Sequence, residues 1–163
     1  FSCKINNERF LRHQALNETI HRSITSAGFS NLMERTNLLN ASTLRPDGLT
    51  TTPFYKGKSL AWDVTCPHPL TNTNLINFRP FRAAEIAETK KLEKYDSIQS
   101  NYYFQPIAIG AFGPLTEKLI SKIGKHPIFK TGDKRACTFF KQRISLAIQR
   151  GNYKTISFSL FSN

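Results

Sequence analysis

The chain has 163 residues, 39% of them hydrophobic and 12% aromatic, which is enough for one compact core and too few for two. Its 23 basic residues against 11 acidic ones give a formal net charge of +12, which favours DNA or RNA as a partner over an acidic protein. Three widely spaced cysteines argue against a disulfide framework, no apolar stretch approaches the roughly 20 residues that cross a bilayer, and we expect a nuclear or otherwise intracellular protein.

The first half of the chain predicts a helix followed by three strands. Apolar residues at helical spacing from about residue 8 to residue 27 predict an amphipathic helix, and Gly28 follows as a stop signal. Stretches of strand character follow at about residues 30–36, 45–53 and 59–66. A turn at Tyr55-Lys56-Gly57-Lys58 separates the last two, so we expect a meander.

The second half predicts helices around one further strand. An exposed loop over residues 67–77 precedes a long helix from about residue 80 to residue 100. A buried strand at 102–109, a helix at 115–123 and a closing helix at 134–152 complete the chain. This order predicts an α/β fold in which helices flank a mixed four-stranded sheet.

Two aspartates give the clearest chemical signal. Asp47, in Arg45-Pro46-Asp47-Gly48, begins one predicted strand, and Asp63, in Trp62-Asp63-Val64-Thr65, lies near the end of the next. If these strands pair as antiparallel neighbours, the two carboxylates come together, and paired carboxylates suit Mg²⁺. The alternative is that Asp47 is an ordinary turn residue and that Asp63 ends its strand by chance.

A lysine pair on the following helix supplies the rest of such a site. In Lys91-Leu92-Glu93-Lys94-Tyr95, helical spacing puts Lys91 on the sheet-facing stripe and Lys94 at its edge. Either Lys91 reaches over the carboxylates, where it can orient water and neutralise phosphate charge, or its ammonium snorkels to solvent.

These motifs together resemble the restriction-endonuclease-like, PD-(D/E)XK-type domain that follows the reverse transcriptase in non-LTR retrotransposons and related retroelement-derived proteins. Arg12-His13-Gln14-Ala15-Leu16 resembles the start of the family's first helix, and residues 142–152 resemble its closing helix. The resemblance implies a single endonuclease domain over residues 1–163 that uses Mg²⁺ or Mn²⁺. Such a domain nicks target DNA so that the covalently attached reverse transcriptase can begin synthesis.

The resemblance also implies roles for individual residues. Four are the implied catalytic residues: Asp47, Asp63, Lys91 and Lys94. The two aspartates would be the metal ligands, and the lysines would replace the motif lysine, whose position Thr65 takes in this chain. Tyr95 would be a supporting residue. Glu18, the acid in the middle of the first helix, is the weakest supporting choice, because its helical angle points away from the predicted core.

Other expectations concern DNA contacts and the start of the chain. Four arginines are the expected nucleic-acid contacts: Arg12, Arg82, Arg143 and Arg150. His13 is expected to be a hydrogen-bonded core or interface histidine rather than a metal ligand. The resemblance implies that residues 1–7 are the remnant of a zinc knuckle whose last cysteine is Cys3, in a piece of a longer protein. Two alternative functions stay open: a catalytically degenerate nucleic-acid-binding domain and a structural tail of a reverse transcriptase.

Overall fold

The computed structural model describes residues 2–34, 44–67, 82–109, 119 and 135–161. Within these ranges the elements, in chain order, are α1 (Ser2–Ser26), β1 (Asn31–Met33), β2 (Gly48–Tyr55), β3 (Lys58–Thr65), α2 (Arg82–Lys94), β4 (Tyr103–Ala108) and α3 (Ala136–Phe161). A short 3₁₀ turn, Asp96–Ile98, joins α2 to β4. The expected mixed α/β architecture is confirmed.

The four strands form one sheet in the order β1-β2-β3-β4. The first three strands are antiparallel neighbours, which confirms the meander, and β4 runs parallel to β3. Lys56 and Gly57 both have positive φ, at 48° and 75°. A two-residue turn of this kind matches the twist of the flanking strands, so the predicted hairpin turn is present. Because β3 and β4 are parallel, a crossover that contains α2 connects them.

Alternating side chains of β3 divide the core between the two faces of the sheet. Leu60, Trp62 and Val64 share one cluster with apolar residues of α1 and α3, whereas Ala61 shares a second cluster with Tyr95. The first cluster draws on both long helices: Leu16, Ile20 and Ile24 from α1, and Phe140, Ile144 and Ile148 from α3. Full burial of an apolar side chain of this size stabilises the fold by about 2 kcal/mol, so these two helices are fixed to the sheet mainly by packing.

The α2 helix ends earlier than its sequence predicts. It stops at Lys94 rather than near residue 100, and the backbone continues as a 3₁₀ turn. Tyr95 explains the difference, because its buried ring stacks on Phe104 at 4.4 Å and its hydroxyl donates to the Arg45 carbonyl at 2.9 Å. These long-range contacts fix the residue that follows the helix.

The two long helices extend beyond their predicted ends. α1 begins at Ser2, so residues 2–7, expected to be a zinc-knuckle remnant, belong to the helix. α3 continues through Gly151-Asn152 to Phe161. A glycine inside a helix costs only about 1 kcal/mol relative to alanine, too little to end a long helix by itself. Residues 68–77 of the expected loop and most of the expected helix at 115–123 lie outside the described residues, although Leu119 is helical and buried.

Trp62 packs on the backbone at the start of β2. Its indole N–H donates to Asn17 Oδ1 at 2.9 Å, which ties β3 to α1. Gly48 is its paired residue on β2, and a Cβ added there would lie 2.0 Å from Trp62 Cζ2. Only glycine therefore fits under the indole ring, and Asp47 is the residue directly before it.

We expect Gly48→Ala to lower the free energy of unfolding by about 1–3 kcal/mol, because the methyl group overlaps a fully buried ring. Urea denaturation measures the change. Gly57→Asn is the control, since nothing lies within 4 Å of its Cβ position and asparagine tolerates positive φ. A Gly48→Ala variant as stable as the wild type would contradict the close packing.

Candidate active site

Asp47 lies where α1, β2 and β3 meet. Its Oδ2 accepts the backbone N–H of Val64 at 2.6 Å and faces His13 Nε2 at 3.0 Å. Its backbone carbonyl accepts the N–H of Glu34 at 2.8 Å and, at 3.5 Å, the side-chain amide of Asn17. The start of β2 is thus held by both neighbouring strands and by the first helix.

Asp63 lies on β3, at the position opposite Asp47 in the antiparallel pairing. Gly48 pairs with Trp62 in the antiparallel register, so the residues before and after them, Asp47 and Asp63, are the next opposite positions. The predicted pairing of strand start with strand end is therefore present. Asp63 is nearly fully buried, whereas the Asp47 side chain keeps 17% of its surface exposed.

His13 connects α1 to both strands through one ring nitrogen. Nε2 lies 3.0 Å from Asp47 Oδ2 and 2.9 Å from the carbonyl oxygen of Val64. Because both partners are oxygen acceptors, Nε2 carries a proton and donates. The hydrogen bond to Asp47 raises the pKa of His13 despite the opposing effect of burial, and the charge of Asp47 adds to the increase. The prediction of a hydrogen-bonded histidine is confirmed.

Lys91 forms the second charge pair of the site. Its Nζ donates to Asp63 Oδ1 at 2.7 Å, and the two side chains are 25% and 5% exposed. The helical spacing that put Lys91 on the sheet-facing side of α2 is thereby confirmed, and its ammonium reaches one of the two acids. A carboxylate buried to this extent needs such a partner, because an unpaired buried charge is strongly destabilising.

Tyr95 lies near the same acid and is influenced by its charge. Burial raises the pKa of its phenol, and a hydrogen-bonding contact with the negatively charged Asp63 raises it further. The phenol therefore stays protonated and donates to the Arg45 carbonyl. Lys94 lies farther out, with Nζ 5.0 Å from the centre of the Tyr95 ring on an exposed side chain. Of the two lysines, Lys91 is the one that bonds to an acid.

Two expected supporting residues have different surroundings. Thr65 ends β3, and its carbonyl accepts the N–H of Ile109 at 2.9 Å. Glu18 is not brought to the carboxylates, since it forms an ion pair with Arg22 at 2.7 Å one turn along α1. The helical angle that pointed Glu18 away from the core gave the right direction.

The four expected DNA-contacting arginines do not form one surface around the acids. Arg143 and Arg150 line a cavity of about 740 Å³ between α1 and α3, on the part of α1 that follows the site. Arg82 begins α2. Arg12, next to His13, contacts the thiol of Cys66, whose pKa is raised by burial even though the arginine opposes the rise. Arg12 and Asp47 both act electrostatically on this thiol.

Among the described residues, the site offers fewer side-chain ligands than a metal ion needs. Within the described ranges, no three His, Cys, Asp or Glu side chains converge as the ligands of one ion would. The nearest arrangement is two side chains and one backbone carbonyl: His13, Asp47 and Val64. Sequence reasoning misses the carbonyl, which carries no side-chain signal, and it predicts His13 as a hydrogen-bonded residue rather than a ligand.

Comparison with known proteins leaves the family resemblance as a prediction. No protein-family model matches the chain, and no curated protein matches it either. None of the helices in the described part of the chain is long and apolar enough to cross a membrane.

We expect Lys91→Met to lower the free energy of unfolding by about 3 kcal/mol, because it leaves the buried Asp63 carboxylate without its ammonium partner. Urea denaturation measures the loss, and adding Asp63→Asn should restore part of it. Lys94→Met is the matched control on the same helix, with an expected loss below about 1 kcal/mol from its exposed contact with Tyr95. Equal effects of the two lysine variants would contradict the pairing.

The His13 contact predicts a pH-dependent stability. Because the folded-state pKa of His13 lies above 6.5, its stabilising effect is fully present below about pH 6.5 and is lost as the pH rises through the folded value. The difference in unfolding free energy between wild type and His13→Gln should therefore shrink from acidic to alkaline pH. In an Asp47→Asn background the same comparison should become nearly flat, and a gap that grows with pH would contradict the assignment.

Proposed function

We propose that the chain is a metal-dependent DNA endonuclease domain with a PD-(D/E)XK-type core, which nicks target DNA to prime an attached reverse transcriptase. One observation carries this proposal: the Lys91 ammonium bonds to Asp63 at 2.7 Å, beside the strand position opposite Asp47. The proposal is supported by Lys91 of α2 reaching Asp63 of β3, and by a strand register that puts Asp47, directly before β2, opposite Asp63. This is the combination that phosphodiester hydrolysis needs, with acids for a cation and a positive group for phosphate.

The donor atoms fit a divalent cation. Within the described part of the chain, the hydrogen bonds to the Asp47 side chain all fall on Oδ2, and a carboxylate has further lone pairs with which it can bind a cation. The carbonyl oxygen of Val64 adds a second hard donor beside it, and the Asp63 carboxylate, paired with Lys91, adds negative charge at the opposite strand position. Such oxygens suit Mg²⁺ or Mn²⁺. The cation would polarise the phosphodiester and make a bound water more acidic.

The remaining residues position charge. Lys91 holds its ammonium at the edge of the site, where it can bind a phosphate oxygen or orient the attacking water. The protonated Tyr95 donates to the Arg45 carbonyl and so ties the residue that follows α2 to the chain just before Asp47. Arg12 adds positive charge near Asp47, which favours the approach of a sugar-phosphate strand.

A nucleic-acid-binding domain without cleavage is the second candidate. The Lys91 contact that supports the first proposal also supports this one, since an acid already neutralised by lysine attracts a cation less strongly. The net charge of +12 and the arginines beside the α1–α3 cavity suit salt-dependent binding of phosphate backbones.

A nicking assay on supercoiled plasmid separates the two candidates. With Mg²⁺ or Mn²⁺ we expect nicks that a chelator abolishes, and a loss of roughly 100-fold or more in Asp47→Asn and Asp63→Asn, because each removes several kcal/mol of charge stabilisation. Asp96→Asn is the control, an exposed acid in the 3₁₀ turn. Nicking that survives the chelator or both site variants would reject the endonuclease, whereas salt-sensitive binding without nicking would support the second candidate.

A further inference from the structure

One imidazole nitrogen faces two oxygens that belong to different strands. His13 Nε2 lies 2.9 Å from the Val64 carbonyl and 3.0 Å from Asp47 Oδ2. The side chains of His13 and Asp47 keep 34% and 17% of their surface exposed, so these two residues lie at a partly exposed edge. An ion can therefore approach without unfolding any element.

The spacing of these atoms is that of neighbouring ligands. Ligands about 2.1 Å from an ion and 90° apart are separated by about 3.0 Å, which is close to both observed distances. The same separation suits the hydrogen bonds that a proton on Nε2 makes in the ion-free protein. A cation would replace that proton and use the same three atoms, with little movement of the side chains.

The charges of the two acids favour this side of the site. The Asp63 carboxylate is buried and already bonded to Lys91, whereas Asp47 has a partly exposed carboxylate that contacts His13 and Val64 through Oδ2. The N–H of Val64 at 2.6 Å holds that carboxylate in a fixed orientation. A cation that binds Asp47 from the His13 side keeps clear of the Lys91 ammonium, which would repel it.

We propose that His13 Nε2 is a direct ligand of the divalent cation, together with the Asp47 carboxylate and the Val64 carbonyl oxygen. This inference rests on the proposed metal-dependent function and adds a metal preference to it. Mg²⁺ prefers oxygen ligands, whereas first-row transition ions accept an imidazole nitrogen, and Mn²⁺ combines that tolerance with an affinity for carboxylates. The site therefore selects Mn²⁺ over Mg²⁺.

Pulsed electron paramagnetic resonance of Mn²⁺ added to the full chain, without DNA, tests the ligand directly. A coordinated imidazole couples its ¹⁴N nucleus to the Mn²⁺ spin, so we expect a nitrogen signal in the wild type. His13→Gln should remove the signal and raise the Mn²⁺ dissociation constant about tenfold or more. His21→Gln, which replaces another histidine of α1, should keep both the signal and the affinity. Circular dichroism checks that each variant is folded.

A competition titration measures the metal preference. Mg²⁺ should displace Mn²⁺ from the wild type only at concentrations more than about tenfold above those of Mn²⁺, and His13→Gln should reduce this ratio. Bound Mn²⁺ without a nitrogen signal, or a signal that persists in His13→Gln, would overturn the inference. The wild-type spectrum decides the question even if the variant fails to fold.

Failure of the His13 ligand assignment can be distinguished from failure of the proposed function. Chelator-sensitive nicking with no nitrogen signal leaves the endonuclease standing and removes His13 from the ligands. A nitrogen signal without nicking keeps the metal site and rejects the endonuclease. Protein that binds no Mn²⁺ at all rejects the ligand assignment, and the plasmid assay then judges the nuclease separately.

Discussion

The Asp47 carboxylate is the contact on which the rest of the candidate site depends. One of its oxygens joins the backbone of β3, through Val64, to the first helix, through His13. On the other side, Trp62 packs on Gly48, the residue that directly follows Asp47. Because Trp62 is itself hydrogen-bonded to Asn17, one turn along from His13, the helix and both strands form a closed set of contacts. Displacement of any one element would move the carboxylate.

The two acids of the site have different partners and different exposure. Asp63 is buried and paired with Lys91, whereas Asp47 is partly open and faces His13. This asymmetry gives the proposed endonuclease two distinct sides. One side offers oxygen and nitrogen donors for a cation, and the other offers an ammonium for phosphate or water. Neighbouring carboxylates with unlike partners are also less repulsive than two equivalent charges, which helps the fold accommodate both.

Local patterns were sufficient where local geometry decides the structure. The alternation and the turn at Gly57 predicted the hairpin, and helical spacing placed Lys91 toward the sheet. These patterns fail where contacts between residues far apart in the chain decide the structure. The end of α2 depends on Tyr95 meeting Phe104 and the Arg45 backbone, and the latter is 50 residues away. The sequence predicts too short an α3, which continues past Gly151 because a long helix tolerates the small cost of one glycine.

In the candidate site, too, local patterns predict some features, while distant contacts decide the others. Strand pairing predicted that the strand start with Asp47 would lie beside the strand end with Asp63. The exact register depends on irregularities in the β2–β3 ladder between Leu49 and Tyr55, which the turn alone does not set. The contacts of His13 span 34 and 51 residues, and one of its partners is a backbone carbonyl, so no side-chain motif could reveal them. Glu18 was considered because a helix acid suits a metal site, yet its partner Arg22 lies on its own helix. Composition and spacing thus indicate the acids, while the surrounding donors emerge only from the folded chain.

Anomalous diffraction from crystals of the full chain soaked in Mn²⁺ tests most directly whether Asp47 organises a metal site. The contacts described above predict one strong peak bonded to the Asp47 carboxylate, His13 Nε2 and the Val64 carbonyl oxygen, with Lys91 still on Asp63. A peak that does not touch Asp47, or the absence of any peak at saturating Mn²⁺, would contradict the central role of this residue.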